Sequence, residues 1–355
     1  MKALVDWILK EKLGIERACE KPNIHIGFSH ELLLEKLFYP FGWIVDSMTF
    51  KYRRKITITE QSGNDLTDYQ VLVELNSTNF NFEHTQTNGE DIRFTDGNGN
   101  LLDYWIESWD AVNESAKVWV KVPSIPANSS VEIFLYYGNE EVTDASDGEA
   151  TFEFFDDFED YTEKWQEGGD SPTVSSETVD GRSVVKITNG GSNCGGIETK
   201  QNINVENRVI ERMVKGWTTA DNGDADECIC IDTAWKASLW CSDNLMHGLF
   251  DLKEYVPIEK HGLKIGGNGD VSLGSESLST VEWQKVITII ETGKITGICR
   301  DEEISQTGTP STYEGKLMLS VDNNQNNAGI YYDWLFVRKY TEPEPSVSLG
   351  AEETA

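Results

Sequence analysis

Four carboxylates crowd one short stretch: Asp156, Asp157, Glu159 and Asp160, in the run Phe154-Phe-Asp-Asp-Phe-Glu-Asp160. Hard oxygen donors gathered this closely suit Ca²⁺, which takes six to eight of them. A solvated acidic turn explains the same residues in a chain that is acidic throughout. Asp96-Gly-Asn-Gly-Asn100 has the look of a calcium loop, but the Glu at its twelfth position, Glu107, falls in a run that reads as strand. Hairpin-turn chemistry accounts for its glycines and asparagines without a metal. A second chemistry comes from rings. Trp217, Trp235, Trp240 and Tyr255 sit in or beside polar loops, and the loop 218–226 supplies Asp221, Asn222 and Asp224. Rings that stack on sugar faces, with carboxylates and amides for the hydroxyls, would bind a glycan, although any single ring is more often core than platform.

Hydrolysis of a glycoside needs two positioned carboxylates. Glu153, Asp156 and Glu159 recur at every third residue, a spacing that does not keep them on one face of a strand. The five histidines show no metal or triad pattern, and neither a Gly-x-Ser-x-Gly elbow nor a phosphate loop occurs. A non-enzymatic chain is expected.

Cysteines are six: Cys19, Cys194, Cys228, Cys230, Cys241 and Cys299. A pair such as Cys230 and Cys241 fits a disulfide across a hairpin, while buried thiols are the alternative. Cys228-x-Cys230 has no second close ligand pair, which argues against zinc.

The elements that must hold these residues are mostly strands. The 355 residues suggest two or three domains. From about Tyr52 the apolar pattern has a period of two, in Lys55–Thr59, Tyr69–Leu75, Asp91–Thr95, Leu101–Ser108, Lys117–Val122 and Val131–Tyr137. Gly, Asn, Asp and Pro separate these runs, which predicts an antiparallel sandwich over 51–140. Residues 141–151 are polar and acidic and read as a linker. A second β region runs over 152–341, with strands expected at Val184–Thr188, Val209–Val214, Glu227–Asp232, Val281–Glu291 and Gly329–Lys339. Residues 342–355 read as a tail.

Residues 1–50 differ. Leu4, Val5, Ile8, Leu9 and Leu13 fit one helical face, and Ser29 caps a second helical run to Leu37, followed by an aromatic patch to Trp43. A short helical segment that docks on a protein partner is expected there. No secretory leader is read at the start, because Asp6 interrupts the apolar run, and no stretch of 18 apolar residues exists to span a membrane.

Charge narrows the partners. The formal net charge is -31, but residues 1–55 hold ten basic and seven acidic groups, so the other 300 residues carry 20 basic and 54 acidic ones. Such a body repels nucleic acid and anionic lipid. Three N-glycosylation sequons begin at Asn76, Asn113 and Asn128.

Residues 52–138 resemble the domain of unknown function 2341 family, found on archaeal and bacterial surface proteins. The likeness lies in Tyr52-Arg-Arg-Lys-Ile-Thr-Ile58, Asp68-Tyr-Gln-Val71, Asp91–Asp96, Tyr104-Trp-Ile-Glu107 and Phe134-Leu-Tyr-Tyr-Gly-Asn139. Residues 152–341 are similar to a concanavalin-like or laminin-G-like jelly roll, through Phe154–Asp160 with Trp165 at one end and Tyr331-Tyr-Asp-Trp-Leu-Phe-Val-Arg-Lys-Tyr340 at the other. The first and last strands of such modules commonly lie side by side, which would add Asp333 to the acidic cluster. Concanavalin-like glucanases carry Glu-x-Asp-x-x-Glu on one strand, a string absent from this chain. The resemblance implies an all-β chain of two consecutive sandwiches and a lectin-like surface protein for adhesion to a glycan or polymer. The alternatives are a tail-tip or fibre component of an archaeal virion, with a homo-oligomeric state, and a glycan-cleaving enzyme.

Overall fold

The computed structural model describes residues 42–189, 195–218, 225–232, 245–252, 260–265, 268–273, 282–299, 302–322 and 328–355. The described chain is nearly all β, and every strand pairing in it is antiparallel. Two sandwiches follow one another.

In the N-terminal sandwich the period-two runs do what their pattern requires. On Tyr52–Thr59, Ile56 and Ile58 point inward and are fully buried, while Lys55, Thr57 and Thr59 alternate with them. A five-stranded sheet runs in the order 346–354, 52–59, 130–137, 93–96, 101–102. It faces a three-stranded sheet of 66–76, 115–125 and 104–110, and the core between them includes Val73, Val118, Leu135, Phe94 and Tyr137.

Both ends of this unit depart from the sequence reading. Residues 342–355, expected as a tail, carry the strand Ser346–Thr354, which pairs with Tyr52–Thr59 and forms the edge of the five-stranded sheet. Its nine residues contain only two large apolar side chains, Val347 and Leu349, and start just after Pro343 and Pro345, so composition hid it. Trp43–Val45 and Met48–Phe50, within the segment read as helical and aromatic, form a hairpin. Asp46 and Ser47 turn it with positive φ values of 47° and 67°, the geometry of a two-residue hairpin turn. The hairpin packs on Phe134 and Tyr136, and the Arg53 guanidinium lies 3.4 Å from the Trp43 ring centroid. The helices expected at 4–13 and 29–37 lie outside the described residues.

The second unit is a jelly-roll sandwich of two eight-stranded sheets. The first runs 172–179, 182–189, 328–339, 208–218, 284–291, 294–299, 302–307, with 154–156 also pairing on 328–339. The second runs 165–169, 195–199, 314–322, 225–232, 245–252, 260–265, 268–273, with 203–204 also pairing on 314–322. Ile210, Val214, Leu335 and Val337 of the first sheet meet Ile229, Ile231, Leu317 and Leu319 of the second. The opposite face of the first sheet rests on the three-stranded sheet of the N-terminal sandwich, where Trp334 and Phe336 meet Trp119. Between the units, Gly148–Thr151 makes a single helical turn capped by the Asp147 carboxylate.

Candidate functional site

The first and last strands of the jelly roll lie side by side, with Phe154 opposite Val337 and Asp156 opposite Leu335. That register brings Asp156, Asp157 and Asp333 to one corner. Each carboxylate has work there already. Asp156 is buried and accepts from Trp165 Nε1 and from the Phe158 amide, both at 2.7 Å. Burial pushes its pKa up to about 6, against those hydrogen bonds, and the charges of Asp157 and Glu163 push the same way as burial. Asp333 pairs with Arg182. Its pKa is raised by burial, opposed by Arg182, and raised further by Asp157. Asp157 is exposed and accepts from the Glu159 amide at 3.3 Å; Glu159 is exposed too. Asp160 accepts from Thr162. Among the described residues no three His, Cys, Asp or Glu side chains form a group fit to hold a metal ion.

Of the ring residues singled out in the sequence, Trp217 lies on the strand Arg208–Thr218, opposite Gly329. Trp235, Trp240, Tyr255, Asp221, Asn222 and Asp224 lie outside the described residues.

The same sheet assembles a group that sequence reasoning missed. Lys186 stands opposite Tyr331, and Tyr331 opposite Lys215, so three adjacent strands put two cations around one ring on the outer face. On the other side of Lys215 stands Trp283, half-buried, with its Nε1 donating to Asp180 at 3.1 Å. Asp180 also accepts from Lys215 at 2.7 Å, and these donors hold its carboxyl below the usual range. The Arg182 guanidinium and the Lys215 ammonium lie 5.5 and 5.8 Å from the Trp283 ring centroid. The hairpin tip Asp180–Arg182 therefore closes one end of a shelf of two half-exposed rings, three cations and two carboxylates. Its ion pairs are partly solvated, Arg182 and Asp180 being the more exposed members. Only the pairing register, which composition does not reveal, brings residues 180–186, 215, 283 and 331–333 together.

The interior holds a second polar group. Arg212 donates to both oxygens of Glu227, at 2.7 and 2.8 Å, and to Thr288 Oγ1 at 3.1 Å. His247 Nδ1 lies 2.6 Å from Thr288 Oγ1, and the Tyr332 hydroxyl donates to Glu227 at 3.3 Å. All are buried between the sheets. Ile229 and Ile231 face this core, so Cys228 and Cys230 alternate to the other side of their strand, where both are buried. Cys228 and Cys299 are thiols, whereas Cys230 is disulfide-bonded; Cys241, its expected partner, lies outside the described residues.

In the N-terminal sandwich the motif residues turn out to be braces. Asp91 accepts from the amides of Gln86, Gly138 and Asn139. Buried Arg93 donates to the Tyr104 hydroxyl at 3.1 Å and to the Thr143 carbonyl at 2.6 Å. Asp96 accepts from the amides of Asn98 and Asn100, as a hairpin turn requires.

Residues 88–168 match the family model DUF2341, a domain of unknown function. The match begins inside the first sandwich and runs through the linker to Trp165 and just beyond. An uncharacterized protein of Methanocaldococcus jannaschii is 27% identical over 192 residues, which cover 50% of this chain and 32% of that protein. The match thus spans about a third of the relative's length. Solved structures with a similar layout include a Bacillus licheniformis β-glucanase (14% identical, 53% of this chain and 98% of that one, TM-score 0.38). Others are the carbohydrate-binding module CBM66 from Bacillus subtilis (12%, 50% and 96%, TM-score 0.35) and the Emp46p carbohydrate recognition domain in metal-free form (11%, 50% and 89%, TM-score 0.37). Likeness this distant decides nothing about ligand or reaction.

Proposed function

We propose that this chain is a non-enzymatic binding protein for adhesion on the outside of a cell, whose jelly roll recognises a glycan or other surface polymer. The observation that carries the reading is the shelf around Trp283 and Tyr331. Two half-exposed rings lie there beside groups able to donate to and accept from hydroxyls, on the region of the face where the first sandwich is not the neighbour. Binding rather than hydrolysis is supported by the buried carboxylates. Glu211 is held by Lys285 and Arg338, and Glu227 by Arg212, so both are occupied in ion pairs away from the outer shelf. Calcium gains no support from the corner of Asp157 and Asp333, where Arg182 pairs with Asp333 and, among the described residues, no three carboxylates gather to hold an ion.

The test is titration of the purified chain against a panel of polysaccharides and prokaryotic cell envelopes, in calcium and in chelator, while following sugar release. Saturable binding without release is expected. Release of sugar would overturn the non-enzymatic reading, and no binding under either condition would overturn the lectin-like one.

A further inference from the structure

We propose that the outer face of the strands 66–76, 104–110 and 115–125 is a module dock, which holds the jelly roll in one fixed orientation. The partner it fits is a β-sandwich offering an aromatic pair flanked by a lysine. This holds whatever the jelly roll binds.

The argument begins with pattern. On an antiparallel sheet with one solvated face, outward positions should be polar. Here the outward face carries Trp105, Trp119 and Leu72. Trp105 meets Trp334, Phe336 and Phe155 edge-on, at ring-centroid distances of 5.5, 5.7 and 5.1 Å. Such contacts are directional as well as apolar.

Charge then fixes the register. Lys285 of the jelly roll reaches both oxygens of Glu107 at 2.9 Å and Glu211 of its own sheet at 2.6 Å. Its ammonium lies 5.9 Å from the Trp119 ring centroid and 5.7 Å from that of Trp334. Glu107 also accepts from Trp119 Nε1 at 2.8 Å. A buried ion group tolerates few alternative placements, because moving one member strands the others without partners. Ordinary interdomain contacts are more polar and allow relative motion.

Backbone ties complete the dock. Gln70 is buried; its amide donates to the Thr151 carbonyl at 3.0 Å and its oxygen accepts from the Lys339 amide at 3.1 Å. One side chain thus grips both the entry to the jelly roll and its last strand. The linker is clipped where the Asp147 amide donates to the Tyr104 carbonyl at 2.8 Å and the Glu153 amide to the Val337 carbonyl at 3.1 Å. The chain then returns through Ser346–Thr354 into the first sandwich. The DUF2341 match at 88–168 takes in two of the three dock strands, with Trp105, Glu107 and Trp119, and the linker, but not the strand 66–76 that carries Gln70 and Leu72.

Hydrogen exchange read by mass spectrometry on the full chain tests this. The amides of Asp147, Thr151, Phe152 and Glu153 are expected to be protected in the unaltered protein. Trp105→Ala and Glu107→Gln should each speed their exchange about tenfold to a hundredfold. The core strands Val71–Leu75 and Leu317–Val321 should keep their rates in Glu107→Gln, the milder change, which decides the matter if Trp105→Ala unfolds the first sandwich. Unprotected linker amides in the unaltered chain, or protection unmoved by Glu107→Gln, would overturn the proposal.

Discussion

Arg212 and Glu227 face each other across the two sheets of the jelly roll, joined by two hydrogen bonds of 2.7 and 2.8 Å, with neither side chain exposed. Removing one partner of a buried pair leaves a charge without compensation, at a cost of about 3–5 kcal/mol. Glu227→Ala should lower stability by that order in a denaturant titration. Arg212→Met with Glu227→Leu should cost far less, because apolar groups of similar size remove both charges together. A double variant as unstable as the single one would refute the argument.

Asp156 gives the protein a slope with pH. Its folded pKa of about 6 lies above the value of 3.8 for a solvated aspartate. Its contribution is therefore fully present below pH ~4 and is lost as pH rises through about 6, a span of roughly 2–3 kcal/mol. Asp156→Asn removes the titration. The stability gap between the unaltered chain and this variant should shrink from pH 4 to pH 7, measured by denaturant midpoints at each pH. A constant gap would show that Asp156 stays ionised throughout.

Glu60 has the opposite sign. Burial opposes its charge, but the Ser62 hydroxyl and the amides of Asn128, Gly63 and Ser62 hold its pKa down to about 2. Its stabilising effect is present above the ordinary glutamate range and is lost as pH falls toward 2. Glu60→Gln should be less stable than the unaltered chain at pH 6, with the difference closing between pH 4 and pH 2. Thermal melts across that range check it.

Much of this fold was legible because alternation was. Lys55–Thr59, Tyr69–Leu75 and Val131–Tyr137 show period two in their letters, and each falls in a strand with its apolar set inward. The Trp43–Phe50 hairpin was not legible: three-residue strands are too short to display a period, and its turn rests on positive φ at Asp46 and Ser47 rather than on glycine. Nor was the final strand, whose partner Tyr52–Thr59 lies almost 300 positions earlier. The candidate site fared worse for the same reason. Trp283 and Asp180 are remote in sequence, and only the hairpin at 180–182, folding across the sheet, brings the carboxylate 3.1 Å from the indole nitrogen. The buried group of Arg212, Glu227 and His247 was not legible either, since nothing in a sequence says that opposite charges will meet inside.

Trp283 is the residue whose loss should separate binding from folding. It is half-buried on an outer face, so Trp283→Ala should shift the unfolding midpoint only slightly while weakening polymer binding about tenfold or more. Titration of the variant beside the unaltered chain measures both. Binding that survives Trp283→Ala unchanged would move the ligand site off this shelf.

Two glycines mark where the sandwich admits no side chain. A Cβ on Gly196 would stand 2.0 Å from the Leu319 carbonyl oxygen, and that atom belongs to the paired strand itself. Gly196→Ala must therefore push the paired strands apart, and a loss beyond the ~1–3 kcal/mol usual for overpacking is expected. On Gly297 the Cβ would stand 2.5 Å from His247 Nε2. His247 cannot swing aside without giving up its 2.6 Å contact to Thr288, so Gly297→Ala should cost within that usual range of ~1–3 kcal/mol. Gly181 is the control: its φ is +79° but nothing lies within 4 Å of a Cβ, so Gly181→Ala carries only backbone strain of ~1 kcal/mol. Denaturant midpoints should rank the three in that order. Equal losses at Gly297 and Gly181 would mean that His247 is not locked in the interior network.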